Sequence, residues 1–293
     1  MRERLIALVI GLTLALMTGT ALAMPERLGG TLDTPGNHKT LTLPAAADHS
    51  PVISLGTAVD PQTGKVVEGY AIVHYAKGGN GGGKPGSGSP LYAFMSKGAK
   101  WKTVEPWLLN PVNNGGLPYD EFDPGNNTYG GPSFAFGNLS YDIGKWEDAT
   151  DGTIGNGVSG KILGDAAETF AALEADLVTP DGSNEVYFAG ISDSGAIAVT
   201  VVWGIFGGPP QGRELVEWDQ VYDDADYTWS TSGEAGKMDF ENIATHELGH
   251  SIGLADLYTL GASEQTMYGY ADYGETKKQT LESGDIAGAD TLY

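Results

Sequence analysis

The chain has 293 residues and a mass of 30.7 kDa, and 41% of its residues are hydrophobic. This length and composition allow a sizeable buried core, which excludes disorder over most of the chain. The 16 basic and 38 acidic residues give a formal net charge of −22. Because such a surface repels phosphate backbones, we expect no nucleic-acid partner. Cysteine is absent, so disulfides, thiolate zinc sites and a cysteine nucleophile are excluded, and a metal would need histidine and carboxylate ligands.

Residues 1–23 have the pattern of a secretory signal peptide. Arg2 and Arg4 provide a positive start, residues 5–17 are apolar, and Ala21 and Ala23 fit the small-residue cleavage pattern. The apolar stretch is short for a membrane span, so an uncleaved anchor is the less favoured alternative. We therefore predict a secreted, extracellular protein that has no membrane attachment after signal removal.

Residues 24–90 have a less definite pattern. Residues 60–64 indicate a turn, and residues 66–75 indicate a strand of alternating character. Residues 78–90 are rich in glycine and serine, which predicts a flexible linker or loop. The segment before this linker is compatible with a pro-segment, a small accessory unit or the first strand of the main domain. The sequence does not decide between these three.

Residues 91–293 mix strand-like and helix-like patterns, which predicts a domain of the α+β or α/β kind. Strand patterns cover residues 101–109, 185–188, 197–203 and 215–222. Apolar residues recur at helical spacing at Leu139, Ile143 and Trp146, and again over residues 162–173. The run at 197–203 is continuously apolar, as is typical of a buried strand.

Residues 238–256 carry the most informative pattern in the chain. Asp239 is a plausible N-cap, and the apolar residues after it are spaced for a helix of roughly three turns. His246 and His250 are four residues apart, so they lie about 40° from each other around the helix, one turn along. Both imidazoles can therefore face a single metal ion.

Three neighbouring residues complete the predicted metal site. Glu247 follows the first histidine and can reach a water molecule beside the metal without binding the metal itself. Gly253 can adopt positive φ, which would end the helix and turn the chain back. Asp256 then offers a third ligand from outside the helix. Three protein ligands leave a fourth position for water, which is the arrangement of a catalytic zinc site rather than a closed structural one.

These motifs resemble those of a known family. Residues 246–256, with the pattern HExxHxxGxxD, look like the extended zinc motif of the metzincin peptidases, with Asp256 where most members have a third histidine. Residues 264–270 resemble the Met-turn of that family, in which Met267 would pack beneath the metal. Residues 281–293 are similar to the terminal helix of the matrixin subgroup.

The resemblance implies a fold and an activity. We expect an α+β, zincin-like catalytic domain with a twisted, mostly parallel five-stranded sheet, about three helices and one zinc ion in a cleft. It also implies cleavage of a protein or peptide substrate bound in extended form. By resemblance, the strand at 197–203 is the sheet edge along which that substrate would lie. The sequence equally allows this strand to be interior.

The resemblance also suggests calcium as a second cofactor. An acidic stretch before the zinc helix looks like the calcium loop of matrixins, and its candidate ligands are Asp219, Asp223, Asp224 and Asp226. A solvated turn is the alternative interpretation of this stretch. The absence of cysteine excludes the thiolate latch of matrixin zymogens. If residues 24–90 inhibit, they must use a carboxylate or steric cover, and Asp33, Asp48 and Asp60 are the candidates.

The sequence therefore predicts a secreted zinc-dependent endopeptidase with Glu247 as general base. The alternative is a secreted metal-binding or adhesion protein that has the same fold but no turnover. His38, His49 and His74 have no ligand spacing and are expected to be ordinary residues. The sequence does not specify the substrate preference, the activation route or the oligomeric state.

Overall fold

The computed structural model describes residues 40–45, 50–77, 91–118, 122–123, 128–129, 133–152 and 162–293. The predicted signal peptide and the linker at 78–90 lie outside these residues, as do Asp33 and Asp48. In the described part of the chain, every helix is too short or too polar to cross a membrane.

The described elements are three α-helices, a main sheet and two short two-stranded pairings. The helices are α1 (Phe134–Ala149), α2 (Phe240–Ser251) and α3 (Ser283–Leu292). The strands are β1 (Val52–Val59), β2 (Val66–Ala76), β3 (Glu105–Asn110), β4 (Phe122–Asp123), β5 (Thr128–Tyr129), β6 (Leu163–Glu168), β7 (Asn184–Phe188), β8 (Ala196–Ile205), β9 (Glu214–Tyr222), β10 (Trp229–Ser230), β11 (Met238–Asp239) and β12 (Tyr270–Ala271).

The main sheet has eight strands in the order β1-β2-β8-β9-β7-β3-β6, with β12 paired to β2. Strands β9, β7, β3 and β6 run parallel to one another, whereas β1, β2, β8 and β9 are antiparallel neighbours. The α+β class and the three helices are confirmed. The sheet is mixed and larger than the predicted five strands, because β1, β2 and β12 extend a mostly parallel five-stranded unit formed by β3, β6, β7, β8 and β9.

The position of β8 differs from the edge role that the resemblance suggested. Strand β8 lies between β2 and β9, and the register pairs Ile72 with Thr200 on one side and Gln220 with Thr200 on the other. The edge interpretation is therefore wrong, and the interior alternative is confirmed. A substrate cannot pair with β8, because β2 already occupies that edge.

Two sequence predictions of local structure were inaccurate. Residues 162–173 have helical spacing, but the structure places β6 there, paired in parallel with β3. The pairing of β6 with β3 overrides the helical spacing of the apolar residues in this segment. Phe170 is exposed and does not belong to an apolar helix face. The strand predicted at 101–109 begins only at Glu105. The strands predicted at 66–75, 185–188 and 215–222 and the helix around Leu139 are confirmed.

Helix α2 is fixed over one face of the sheet. Trp146 of α1 donates its indole N–H to the carbonyl of Thr245, at 2.8 Å. Gln220 of β9 donates its amide to the Ser251 hydroxyl, at 2.9 Å. The alternation along β2 directs the Ile72 side chain into the core on this face. The opposite face of the sheet forms a second apolar core.

Candidate metal centre and active site

Helix α2 begins and ends where the sequence predicted. Asp239 is its N-cap, and its Oδ1 accepts a hydrogen bond from the backbone N–H of Asn242 at 3.0 Å. The helix ends at Ser251, and Gly253 follows with a φ of 106°. A Cβ atom at this glycine would lie 2.8 Å from the carbonyl oxygen of Ala99. Glycine is therefore required for both the backbone angle and the close approach.

The turn after α2 brings Asp256 back to the two histidines of the helix. Asp256 Oδ1 lies 3.2 Å from His246 Nε2 and 3.5 Å from His250 Nε2. The three ligand atoms all lie within 4.8 Å of one another. The histidine side chains are fully buried, and that of Asp256 is 5% exposed. The structure thus brings together the three residues that the sequence predicted as metal ligands.

The side-chain atoms that point away from the ligand cluster, called the rear atoms below, are held by hydrogen bonds. His246 Nδ1 donates to the carbonyl of Thr266 at 2.7 Å, and His250 Nδ1 donates to that of Leu254 at 3.0 Å. The hydroxyl of Tyr258 donates to Asp256 Oδ2 at 2.8 Å. In a neutral imidazole, a proton on Nδ1 leaves the lone pair of Nε2 free for a metal ion. This arrangement of outer partners orients side chains for metal binding.

The side-chain atoms that face one another across the cluster, called the front atoms below, have no hydrogen-bond partner among the described residues. His246 Nε2, His250 Nε2 and Asp256 Oδ1 are all buried and unsatisfied. Burying such atoms without a partner is costly, and a divalent cation between them would remove that cost. Two imidazoles and one carboxylate are also the ligand types that zinc accepts. The residues therefore fit a zinc ion.

The protonation states of His246 and Asp256 suit this donor set. Burial lowers the pKa of His246 to about 3, so its imidazole is neutral. Burial opposes ionisation of Asp256, but the neighbouring His250 and His246 hold the pKa of this carboxyl well below its usual range. A neutral imidazole and an ionised carboxylate are the forms that bind metal. Burial lowers the pKa of His250, but the neighbouring Asp256 outweighs burial and raises it, so a metal ion would displace a proton from this imidazole.

Glu247 is fully buried beside the first histidine, and both of its carboxylate oxygens are engaged. Oε1 lies 3.0 Å from His74 Nδ1, and Oε2 accepts a hydrogen bond from the Thr200 hydroxyl. Burial raises the pKa of Glu247 to about 7. The carboxylate therefore has a fixed orientation.

The structure corrects the expectation that His74 is an ordinary residue. The His74 ring packs against the His246 ring, with 4.0 Å between the ring centroids. Its Nε2 atom lies 3.3 Å from Nζ of Lys278, which is fully buried and also donates to the carbonyl of Tyr268. Burial lowers the pKa of Lys278 to about 8. His74, Thr200, Lys278 and Tyr258 were not identified from the sequence as site residues. The alternation along β2 could have placed His74 on the same face as Ile72, but no local pattern linked it to Glu247.

Met267 lies directly beneath α2. A Cβ atom at Gly249, between the two histidines, would meet Met267 Sδ at 2.2 Å. Asp285 of α3 accepts hydrogen bonds from the backbone N–H groups of Thr266, at 2.7 Å, and Met267, at 3.1 Å. The same turn supplies the Thr266 carbonyl that orients His246. The Met-turn segment is thus packed against the histidine pair.

A cleft of about 420 Å³ opens beside the candidate metal ligands. Its lining includes His250 and Asp256, together with apolar side chains of β2 and of the loops that contain Phe94 and Phe206. Ile72 of β2 faces this space. The cleft therefore provides both an approach to the ligand cluster and an apolar wall.

The four candidate calcium ligands do not form one cluster in the described chain. Asp223 accepts hydrogen bonds from three backbone N–H groups, those of Ile191, Ala225 and Asp226. Asp219 instead lies with Asp176 and Glu217 on the sheet face opposite α2. Asp60, considered as an inhibitory carboxylate, caps its own turn by accepting from the backbone of residues 62 and 63.

The mixed sheet, the three helices and the histidine pair on α2 are the features expected of a metzincin catalytic domain. Residues 149–293 match the family model for matrixin, peptidase M10, and this part of the chain belongs to the matrixin family. The matched part of the chain is matrixin-like, and the matrixin family consists in general of zinc metalloendopeptidases. No curated protein matches the sequence. His74 and the whole of β2 lie outside the matched residues.

Proposed function

We propose that the chain is a secreted, zinc-dependent endopeptidase in which His246, His250 and Asp256 hold the metal. The observation that carries this proposal is the convergence of three buried, unsatisfied ligand atoms whose rear atoms are already fixed. A zinc ion bound there would supply a Lewis acid for the scissile carbonyl and lower the pKa of a water molecule.

Glu247 is the proposed general base. It accepts the proton of the attacking water and transfers it to the leaving amine of the substrate. Each carboxylate oxygen has two lone pairs, so the bonds from His74 and Thr200 leave acceptor capacity for water. These two partners fix the carboxylate during the proton transfer.

The cleft beside His250 and Asp256 is the proposed substrate site. An extended peptide segment would place its carbonyl near the ligand cluster and one side chain against the apolar wall that includes Ile72. Because β8 is interior, we propose that the substrate lies across the face of β2 rather than as an added strand on β8. A folded region could not enter the cleft, so unfolded or flexible segments are the expected substrates.

Export through the signal peptide at 1–23 remains part of this proposal, whereas the residues suggested for calcium are not brought together in the described chain and are proposed only as separate candidates. The calcium ligands suggested by resemblance are Asp219, Asp223, Asp224 and Asp226. The hydrogen bonds of Asp223 to backbone N–H groups make it the weakest of these candidates. Elemental analysis of the purified mature protein measures zinc and calcium together.

Glu247→Gln tests the proposed function. This substitution keeps the size of the side chain and removes the base. We expect one zinc per chain in the variant and a loss of about 10² to 10⁴ in the rate of cleavage of an unfolded protein. The matched control is Glu264→Gln, whose side chain is 75% exposed and which should not change the rate. A parent protein that holds zinc but shows no chelator-sensitive cleavage would instead support the metal-binding or adhesion alternative.

A further inference from the structure

His74 forms a bridge between two buried groups that are distant in sequence. On one side its Nδ1 is 3.0 Å from Glu247 Oε1, and on the other its Nε2 is 3.3 Å from Lys278 Nζ. The side chains of His74 and Glu247 are fully buried. Strand β2 holds the imidazole in place, since His74 pairs with Ala198 of β8.

The chemistry of Lys278 decides which nitrogen of His74 carries the proton. A lysine ammonium can only donate hydrogen bonds, so the Nε2 atom that faces it must be the acceptor. The proton of the neutral ring is then on Nδ1, which donates to Glu247. Thr200 donates to the other carboxylate oxygen. Glu247 thus accepts one fixed hydrogen bond on each oxygen.

We propose that His74 is a positioning residue for Glu247, and that Lys278 fixes the His74 tautomer that this role requires. This inference rests on the proposed function, because it takes Glu247 as the base. It assigns part of the active site to β2, a strand outside the residues that match the matrixin family. A general base that is held within a fraction of an ångström of its productive position avoids a large loss of rate.

A metal-ligand role for His74 is less consistent with the structure. His74, His246 and Glu247 also form a group with ligand-type atoms within 4.8 Å of one another. However, the facing atoms of His74 and Glu247 are satisfied by hydrogen bonds. The unsatisfied atoms are those of His246, His250 and Asp256. Of these two groups, the second is the one in which every facing ligand atom lacks a hydrogen-bond partner among the described residues.

An inhibitory latch is also less consistent with the packing of β2. This strand pairs with β1 and β8, and β12 adds a further pairing at its C-terminal end. Its Val67, Ala71 and Val73 side chains are completely buried in the core on the opposite face. Releasing β2 would expose this core, which is a large cost for a removable segment. Strand β2 is therefore better described as part of the catalytic domain.

A matched pair of amide variants in the full chain tests the proposal. His74→Asn places an amide N–H close to the original Nδ1 position, so it retains the hydrogen bond to Glu247. His74→Gln extends the amide toward Lys278 and loses that bond. We expect His74→Gln to lower kcat about 10²-fold with KM little changed, and His74→Asn to recover most of kcat. Both variants should hold one zinc per chain and unfold at similar temperatures.

Other results would overturn this role. Equal kcat in the parent, His74→Asn and His74→Gln would show that the hydrogen bond does not position the base. A gain of activity in either variant would indicate a latch, and a loss of zinc from His74→Gln would indicate a metal ligand. A zinc-loaded parent without cleavage activity would refute the proposed function together with this inference. The first three results refute only the role of His74.

Discussion

Tyr258 shows how single residues around the ligand cluster set its geometry. Its hydroxyl holds the rear oxygen of Asp256, which leaves the front oxygen directed at the two histidines. We predict that Tyr258→Phe lowers the zinc affinity about 10- to 100-fold, because Asp256 loses this orienting hydrogen bond. Competition with a chromogenic chelator measures the affinity.

Tyr270→Phe is the control for this experiment. The Tyr270 ring packs against the Tyr258 ring, with 5.3 Å between centroids, so the variant removes a neighbouring hydroxyl without touching Asp256. Its zinc affinity should equal that of the parent. Equal zinc affinities in the parent and Tyr258→Phe would contradict the orienting role of Tyr258.

The sequence predicted that the candidate metal ligands lie together, but it did not predict which residues surround them. His246, Glu247, His250 and Asp256 share one helix and its following turn, so their spacing predicts their proximity. His74 lies 173 residues from Glu247, and Lys278 lies 204 residues from His74. These contacts depend on how whole strands pair with one another. The spacing of apolar residues along the sequence does not specify this pairing.

The turn that ends α2 is the element that places Asp256. We predict that Gly253→Ala lowers the free energy of unfolding by about 1 to 3 kcal/mol, since its φ of 106° is unfavourable for alanine. The added Cβ would also press on the Ala99 carbonyl and displace the turn, so zinc affinity should fall as well. Denaturant unfolding and chelator competition measure the two effects.

Gly144→Ala provides the comparison within a helix. Gly144 lies in α1 with open space where a Cβ would be placed, so alanine should be neutral or stabilising by up to about 1 kcal/mol. If Gly253→Ala kept both the stability and the zinc affinity of the parent, the turn after α2 would not depend on glycine at this position.

Elements that depend on local signals were predicted more accurately than elements that depend on pairing. The N-cap, the length and the end of α2 followed from Asp239, the apolar spacing and Gly253. Strand β6 was mistaken for a helix because its spacing of apolar residues is ambiguous until β3 is placed beside it. The interior position of β8 depended on β2, which could equally have belonged to a separate segment.

The whole molecule is rich in acidic residues, and several of them lie together on the sheet face opposite α2. Asp176, Glu217 and Asp219 lie together there, and Glu185 is beside them on β7. Burial raises the pKa of Glu185 to about 7 and that of Glu217 to about 9. Burial also raises the pKa of Asp219 well above its usual range.

These shifts predict that the metal-free protein becomes less stable as the pH rises. The native state binds protons on these carboxyls more tightly than the unfolded chain does. The free energy of unfolding should therefore fall as the pH rises above about 4.5, the ordinary pKa of these glutamates, and level off above about 9. Thermal unfolding in the presence of a chelator measures this dependence.

Glu217→Gln should weaken the pH dependence, because it removes the carboxyl with the pKa of about 9. The exposed Glu264→Gln should leave the dependence unchanged. A stability of the parent that is constant or rises between pH 5 and 9 would show that these carboxyls are ionised in the native state.

The proposed function depends most on a zinc ion bound by His246, His250 and Asp256. The most direct measurement is the zinc content per chain of the purified parent and of His250→Ala, after dialysis against metal-free buffer. We predict one zinc per chain in the parent and a large loss in the variant. A parent without zinc, or a variant that keeps a full equivalent, would contradict the account.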